Sequence, residues 1–176
     1  MSRVTLVTGG ARSGKSRHAL ARMEPYARRA FVATAEAIDE EMRDRIARHQ
    51  AERADSFITV EAPIHLGEAI RSLPEGVEAA VVDCLTVWLG NLVHHFGEDE
   101  ERLGAQVESL LEAVKKPPCD LVVVTNELGL GIVPDNELAR RFRDLAGWLN
   151  QDMAALADEV VLVVSSLPLY LKRSHE

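Results

Sequence analysis

The sequence has few of the residues and segments that mark disulfide-rich, metal-binding or membrane-spanning proteins. Only two of its 176 residues are cysteine, Cys84 and Cys119, and only 5% are aromatic. Two separated thiols at the edges of apolar segments predict no disulfide framework and no thiolate metal site, because a buried free cysteine usually behaves as a small hydrophobe. The longest apolar run, residues 160–171, contains two serines and a proline. It is therefore too short and too interrupted to span a bilayer.

Positive charge is also scarce over the chain as a whole. Lys and Arg total 20 against 28 Asp and Glu, for a formal net charge of −8. This balance argues against a general nucleic-acid or anionic-membrane surface, but it permits a local phosphate site, and arginines crowd the first third of the chain. No signal-peptide pattern precedes the first apolar segment. We expect one reduced, soluble, cytoplasmic domain over residues 1–176, long enough to bury a core of Val, Leu, Ile and Ala.

Short, nearly all-apolar segments alternate along the chain with longer helical ones. Apolar runs without polar alternation are typical of parallel strands that are buried on both faces. They predict strands at Val4–Thr8, Ala30–Thr34, Ala79–Asp83, Leu121–Thr125 and Glu159–Val164, with a weaker strand at Phe57–Glu61. Helices are predicted at Lys15–Arg28, Asp39–Ala54, Ile64–Leu73, Leu85–His95, Glu98–Lys115 and Asn136–Leu156. In the last helix the residues at helical spacing predict an apolar stripe facing the sheet: Leu138, Phe142, Leu145, Leu149, Met153 and Leu156.

This order of elements predicts an α/β fold with a three-layer, doubly wound, mostly parallel sheet. Ligands of such folds bind at the carboxyl ends of the strands. The first strand leads directly into a segment that meets every position of the Walker A pattern, with a helix predicted to follow it. Its residues, which we predict to bind nucleotide, are Gly9, Gly10, Ala11, Arg12, Ser13, Gly14, Lys15 and Ser16.

Each residue type in this loop has a physical role in phosphate binding. Glycines allow the backbone N–H groups to converge on one phosphate, and the start of the helix adds partial positive charge there. Lys15 would reach the β- and γ-phosphates, and the Ser16 hydroxyl would bind Mg²⁺. A magnesium nucleotide also needs a carboxylate from another strand. Asp83 follows four apolar residues and is favoured for this role; the alternative is an aspartate that helps to end the strand or caps the next helix.

A second carboxylate and a histidine are further candidates. Glu127 lies just past the strand Leu121–Thr125, where it is a candidate base or sensor, or simply a loop carboxylate. On the helix Asp39–Ala54, Arg45, His49 and Arg53 share one face. Two arginines lower the pKa of an imidazole between them, and a neutral ring nitrogen is able to attack phosphorus. The alternative is a solvated, charged helix with an ordinary surface histidine.

Several segments together resemble the bifunctional adenosylcobinamide kinase/adenosylcobinamide-phosphate guanylyltransferase family of cobalamin biosynthesis. Besides the Walker A segment, they are Ala33–Glu36, Asp39–Met42 with Arg45, Ile46, Arg48 and His49, Val82–Thr86 with Trp88 and Leu89, Asn126–Pro134, Leu138–Asp144, and Asn150 with Gln151. The match spans essentially the whole chain. The segment Asn126–Pro134 is much more specific than the phosphate loop.

The resemblance implies a RecA-like P-loop NTPase fold, a homotrimer, and two reactions. In the first, ATP or GTP phosphorylates the aminopropanol hydroxyl of adenosylcobinamide. In the second, GTP transfers GMP to that phosphate through a GMP–histidine intermediate, which implies that His49 is the catalytic residue. Beyond the phosphate loop, the resemblance implies nucleotide contacts at Thr34, Ala35, Glu36, Gln50, Ala51, Glu52, Arg53, Glu61 and Asp83.

Mg²⁺ is the expected cofactor, held by Ser16 and Asp83. The chain departs from the family pattern in two places: the family has glycine in the stretch occupied here by residues 164–168, and some members have Glu at position 83. Two other functions remain open from the residues alone. One is a small-molecule kinase that uses only the Walker loop, and the other is a nucleotide-dependent switch without corrinoid chemistry.

Overall fold

The computed structural model of the protein describes residues 2–36 and 56–173. The predicted helix Asp39–Ala54 lies outside the described residues, as does the tail after residue 173. The strands are β1 Val4–Thr8, β2 Arg29–Ala33, β3 Ile58–Glu61, β4 Ala79–Asp83, β5 Asp120–Val124, β6 Glu159–Val164 and β7 Leu167–Lys172. The described helices are α1 Lys15–Ala21, α2 Leu66–Arg71, α3 Leu85–Phe96, α4 Glu100–Lys115 and α5 Glu137–Leu156, with a short 3-10 turn at Leu128–Leu130.

Most predicted elements are confirmed, and the differences have local causes. β1, β4 and β6 have the predicted bounds, and β2 and β5 are shifted by one residue. α1 ends at Ala21 rather than Arg28, because Pro25 cannot continue a helix and also restricts the residue before it. α2 is shortened to Leu66–Arg71, between Pro63 and Pro74. α4 and α5 begin after Asp99 and Asn136, whose side chains accept the N-capping hydrogen bonds.

The strands form one sheet in the order β3-β2-β4-β5-β1-β6-β7. All neighbouring pairs are parallel except the last, in which β7 runs antiparallel to β6. The mostly parallel α/β sheet is therefore confirmed. The carboxyl ends of its parallel strands lie at one edge, and β5 lies between β1, which leads into the phosphate loop, and β4, which ends in Asp83.

Apolar side chains cover both faces of the sheet. On one face α2, α3, α4 and α5 contribute Leu66, Trp88, Leu110 and Met153 to the larger core, and on the other α1 contributes Ala19 to the smaller one. Layers on both faces fit the three-layer prediction. The predicted stripe of α5 is buried only in part: Leu149 and Met153 are in the core, whereas Leu138 is 62% exposed, since the first turn of α5 has no core beneath it.

Both cysteines are free and buried. Among the described residues, no helix is both long enough and apolar enough to cross a membrane.

Candidate active site

The phosphate loop connects the carboxyl end of β1 to α1, as the sequence predicts. Close packing explains the two glycines that the Walker A pattern requires, Gly9 and Gly14. A Cβ at Gly9 would lie 2.5 Å from the Val163 carbonyl oxygen. Gly14 has a φ of 94°, and a Cβ there would lie 2.7 Å from the Ser166 hydroxyl oxygen. Both positions therefore require glycine, which lets the loop backbone pass close to its neighbours.

Lys15 is held against the loop rather than extended into solvent. Its side chain is largely buried, with the residue 8% exposed, and its Nζ donates to the Gly10 carbonyl oxygen at 3.0 Å. An ammonium group has three donors, so two remain for phosphate oxygens. Thr8 Oγ1 and Ser13 Oγ are also buried at this junction, without a hydrogen-bond partner among the described residues. Unsatisfied polar atoms of this kind fit a site that receives a polar ligand.

The turn between β6 and β7 packs on the phosphate loop, a contact that the sequence did not reveal. Ser166 N–H donates to the Ser13 carbonyl oxygen at 2.7 Å, and Arg17 donates to Ser166 Oγ at 2.6 Å. The hairpin turn thus contacts both the phosphate loop, at Ser13, and the first turn of α1, at Arg17. The sequence signal was incomplete, because two polar residues separate two apolar runs but include none of the glycine that usually marks a two-residue β-hairpin turn.

Asp83 lies at the same edge of the sheet as the phosphate loop. It ends β4, and its register partners are Ala33 on β2 and Val124 on β5. Asp83 also affects its neighbour Cys84. Burial raises the pKa of the Cys84 thiol, the negative charge of Asp83 raises it further, and the positive charge of Lys15 lowers it. Asp83 and the phosphate loop therefore share the carboxyl edge of the sheet, with only β5 between their strands.

Thr34 ties the ends of β2 and β4 together. Its fully buried hydroxyl donates to the Cys84 carbonyl oxygen at 2.9 Å and accepts from the Cys84 N–H at 2.8 Å. Asn91 on α3 donates to the Thr34 carbonyl oxygen at 2.7 Å. The Thr34 hydroxyl is thus committed to the protein itself, and the residues that follow it, Ala35 and Glu36, are more accessible to a nucleotide.

The other predicted nucleotide contacts are spread along the sheet edge. Glu36 Oε2 lies 2.8 Å from His95 Nε2 at the end of α3. Glu61 ends β3, four strand positions from β1, which at about 4.8 Å per strand is roughly 19 Å from the phosphate loop. The structure therefore brings Asp83 and the loop together but not Glu61. His49, Gln50, Ala51, Glu52 and Arg53 lie outside the described residues.

The segment after β5 completes the described part of the site. Glu127 N–H donates to the Gly9 carbonyl oxygen at 3.1 Å. The Glu127 Oε1 atom accepts from Asn150 Nδ2 at 2.9 Å, and Thr86 Oγ1 accepts from the Asn126 N–H at 2.9 Å. Glu127, which the sequence left as a base, a sensor or a loop carboxylate, is thus fastened directly to the phosphate loop and to α5.

The comparisons with known proteins agree with this geometry. The profile of the family described as "Cobinamide kinase / cobinamide phosphate guanyltransferase" matches residues 5–171. The bifunctional adenosylcobalamin biosynthesis protein CobU of Escherichia coli K12 is 42% identical, covering 95% of this chain and 98% of its own. The corresponding protein CobP of Pseudomonas aeruginosa is 45% identical, covering 95% and 96%.

Similar solved structures share the fold at low identity. A Pyrococcus horikoshii protein, PH0250, has a TM-score of 0.56 at 10% identity and covers 99% of this chain and 88% of its own. An ATPase of a bacterial type III secretion system has a TM-score of 0.50 at 10% identity, covering 91% and 50%. Together with the phosphate loop, these similarities show an α/β P-loop NTPase fold.

Proposed function

Because this chain belongs to the cobinamide kinase/cobinamide phosphate guanyltransferase family, we propose that it performs both reactions on adenosylcobinamide, the second through a GMP–histidine intermediate on His49. The observation that carries the proposal is the phosphate loop at the end of β1, with Lys15 held over it and Asp83 two strands away at the same edge. This arrangement suits a triphosphate.

In the kinase reaction, the aminopropanol hydroxyl of adenosylcobinamide attacks the γ-phosphorus of ATP or GTP. Positioning and charge stabilisation supply most of the acceleration in phosphoryl transfer. The loop N–H groups and the ammonium of Lys15 would hold the β- and γ-phosphates. The products are adenosylcobinamide phosphate and a nucleoside diphosphate.

In the guanylyl transfer, a ring nitrogen of His49 attacks the α-phosphorus of GTP. A nitrogen–phosphorus bond forms, the bond to the bridging oxygen breaks, and pyrophosphate leaves with that electron pair. A phosphate oxygen of adenosylcobinamide phosphate then attacks the same phosphorus and breaks the nitrogen–phosphorus bond. The products are adenosylcobinamide-GDP and the free histidine.

The described residues fit a magnesium nucleotide. Ser16 lies in the first turn of α1 and Asp83 ends β4, and Mg²⁺ in such sites is usually held by one or two protein oxygens together with phosphates and water. Within residues 2–36 and 56–173, no cluster of three or more metal-binding side chains competes for this role. When bound, Mg²⁺ would neutralise charge on the phosphates.

The intermediate can be tested by mass spectrometry of the intact protein after incubation with GTP and Mg²⁺. We expect a GMP adduct that maps to His49, that is labile in acid and stable in alkali, and that is absent from His49→Ala. His94→Ala, a change at an exposed histidine on α3, is the matched control and should still be labelled. An active, folded preparation that forms no adduct would contradict the covalent mechanism.

The same resemblance supports a homotrimer that works in the cytoplasm. The described chain leaves β7 as an edge strand with apolar side chains in solvent, including Leu167 at 72% and Leu171 at 58% exposure. An uncovered apolar edge of this kind is more easily understood in an assembly than in a monomer. Multi-angle light scattering of the purified protein measures the number of chains directly.

A further inference from the structure

The sheet topology places Glu127 between the two groups that would hold the magnesium nucleotide. β5 lies between β1 and β4, so the residues that follow β5 emerge between the phosphate loop and Asp83. The hydrogen bond from Glu127 N–H to the Gly9 carbonyl oxygen, at 3.1 Å, fixes the start of this segment to the loop. Glu127 is half-buried there.

Asn150 on α5 determines how this segment and the Glu127 carboxylate are oriented. Its Nδ2 donates to both Glu127 Oε1, at 2.9 Å, and the Asn126 carbonyl oxygen, at 3.0 Å. Its Oδ1 accepts from Thr125 Oγ1 at 2.8 Å. One side-chain amide therefore contacts three consecutive residues, and its acceptor and both its donors are in use.

These contacts orient the carboxylate without neutralising it. The donor to Oε1 is a neutral amide, and no Lys, Arg or His among residues 2–36 and 56–173 forms an ion pair with Glu127. Among the same described residues, no group donates a hydrogen bond to the second carboxylate oxygen, Glu127 Oε2. An oriented carboxylate with one oxygen available is suited to accept a proton from a group beside the phosphates.

We propose that Glu127 is the general base of the phosphoryl-transfer step and that Asn150 is its positioning residue. This inference rests on the proposed function, since it needs an alcohol as the acceptor. As the acceptor oxygen bonds to the γ-phosphorus, its proton passes to Glu127 Oε2. The bond from the γ-phosphorus to the bridging oxygen breaks, and the nucleoside diphosphate leaves with that electron pair.

The two reactions of the enzyme differ in their need for this base. The alcohol acceptor of the kinase step is protonated at neutral pH and gains from proton removal. The phosphate acceptor of the guanylyl transfer is already ionised at one oxygen or more. The proposed nucleophile in the first half of that transfer is the imidazole of His49. Removing the base should therefore slow only the first reaction.

The first test compares Glu127→Gln with wild type in each reaction separately, supplying adenosylcobinamide for one and adenosylcobinamide phosphate for the other. We expect the kcat of phosphoryl transfer to fall about 100-fold or more, while guanylyl transfer and nucleotide affinity stay within about twofold. Glu75→Gln, an exposed change in the turn before β4, is the matched control and should behave as wild type.

The second test uses Asn150→Ala, which keeps the carboxylate but removes its orienting donor. Kinase kcat should fall about 10- to 100-fold, because a displacement of ~1 Å can cost that much, with little change in the KM for nucleotide. A purely structural role for Asn150 would instead lower both activities together.

The possible results separate this inference from the function on which it rests. If the wild type is active and Glu127→Gln keeps more than about a tenth of the kinase kcat, the base assignment is overturned and the proposed function is not. An equal loss of both activities in folded Glu127→Gln would also overturn it, because that result indicates support of the phosphate loop. A folded wild type without phosphoryl transfer would overturn the proposed function as well.

Discussion

Tyr26 shows how a single side chain connects the turn after α1 to the sheet. Its hydroxyl donates to Asp120 Oδ2 at 2.6 Å at the start of β5, and the other oxygen of Asp120 accepts from the Arg3 N–H at 2.7 Å. One carboxylate therefore fastens two chain segments at the amino end of the sheet. The pKa of Tyr26 is raised to about 12, and the largest cause is the hydrogen bond to Asp120, with burial as the second.

This shift predicts a stability change at high pH. A pKa raised from 10.0 to about 12 means that the stabilisation is complete below pH 10 and is lost as the pH rises to about 12, because the unfolded tyrosine loses its proton first. Tyr26→Phe should lower the free energy of unfolding by about 1 kcal/mol at pH 8, because it removes the hydrogen bond to Asp120. The effect is modest because this hydrogen bond is partly exposed to solvent. The difference from wild type should shrink by pH 11.

Urea unfolding at pH 8 and pH 11 measures this difference. The second tyrosine of the chain supplies the control: Tyr170→Phe on the exposed strand β7 removes the same hydroxyl far from Asp120 and should leave the free energy of unfolding at pH 8 close to that of wild type. A Tyr26→Phe variant whose deficit is the same at both pH values would show that the hydroxyl proton is not the stabilising group.

At the scale of single elements, the β6–β7 hairpin has the most specific backbone requirement. Ser165 and Ser166 form its two-residue turn with φ values of 49° and 67°, as hairpins that follow the twist of their strands require. Glycine adopts these angles most readily, because it has no Cβ. The two serines adopt these angles at some cost in conformational energy. Ser166 also accepts a hydrogen bond from Arg17 through its side-chain hydroxyl.

Substitutions at Ser165 test this backbone requirement, because the residue is exposed and its packing contributes little. Ser165→Val should lower the free energy of unfolding by about 1–2 kcal/mol, since a β-branched residue is strongly disfavoured at positive φ. The expected fall in Tm is about 2–8 °C. Ser165→Gly is the matched control and should be at least as stable as wild type. Equal Tm values for Val and Gly would contradict the turn geometry.

For the whole molecule, nucleotide binding and folding are coupled through the sheet. The phosphate loop, Asp83 and the brace at Thr34 all lie at the carboxyl edge, and each is attached to strands whose other residues form the core. A ligand that binds only the folded state must therefore stabilise the entire domain.

Thermal unfolding with and without GTP and Mg²⁺ measures this coupling. At a concentration about 100 times Kd, GTP should add about 2.7 kcal/mol, which corresponds to a rise in Tm of about 5–10 °C. Lys15→Ala removes the ammonium at the loop and should abolish most of the rise while leaving the Tm of the free protein nearly unchanged. A full rise in folded Lys15→Ala would show that the nucleotide binds elsewhere.

Much of the fold and part of the site were predictable from local patterns. Continuous apolar runs predicted β1, β4 and β6 with their observed bounds, because strands buried on both faces have no polar positions to alternate. The Walker A pattern predicted the loop between β1 and α1, and the four apolar residues before Asp83 predicted its place at a strand end. These features depend on neighbours in the sequence.

What the sequence alone determined is thus most of the described strands and helices, the phosphate loop and the family resemblance. Only the tertiary structure decided that β5 lies between β1 and β4, that β7 folds back so that Ser166 braces the loop, and that Asn150 orients Glu127. Each of these contacts joins residues far apart in the chain. Local propensity does not determine such pairings, because they depend on how the strands and helices pack around one core.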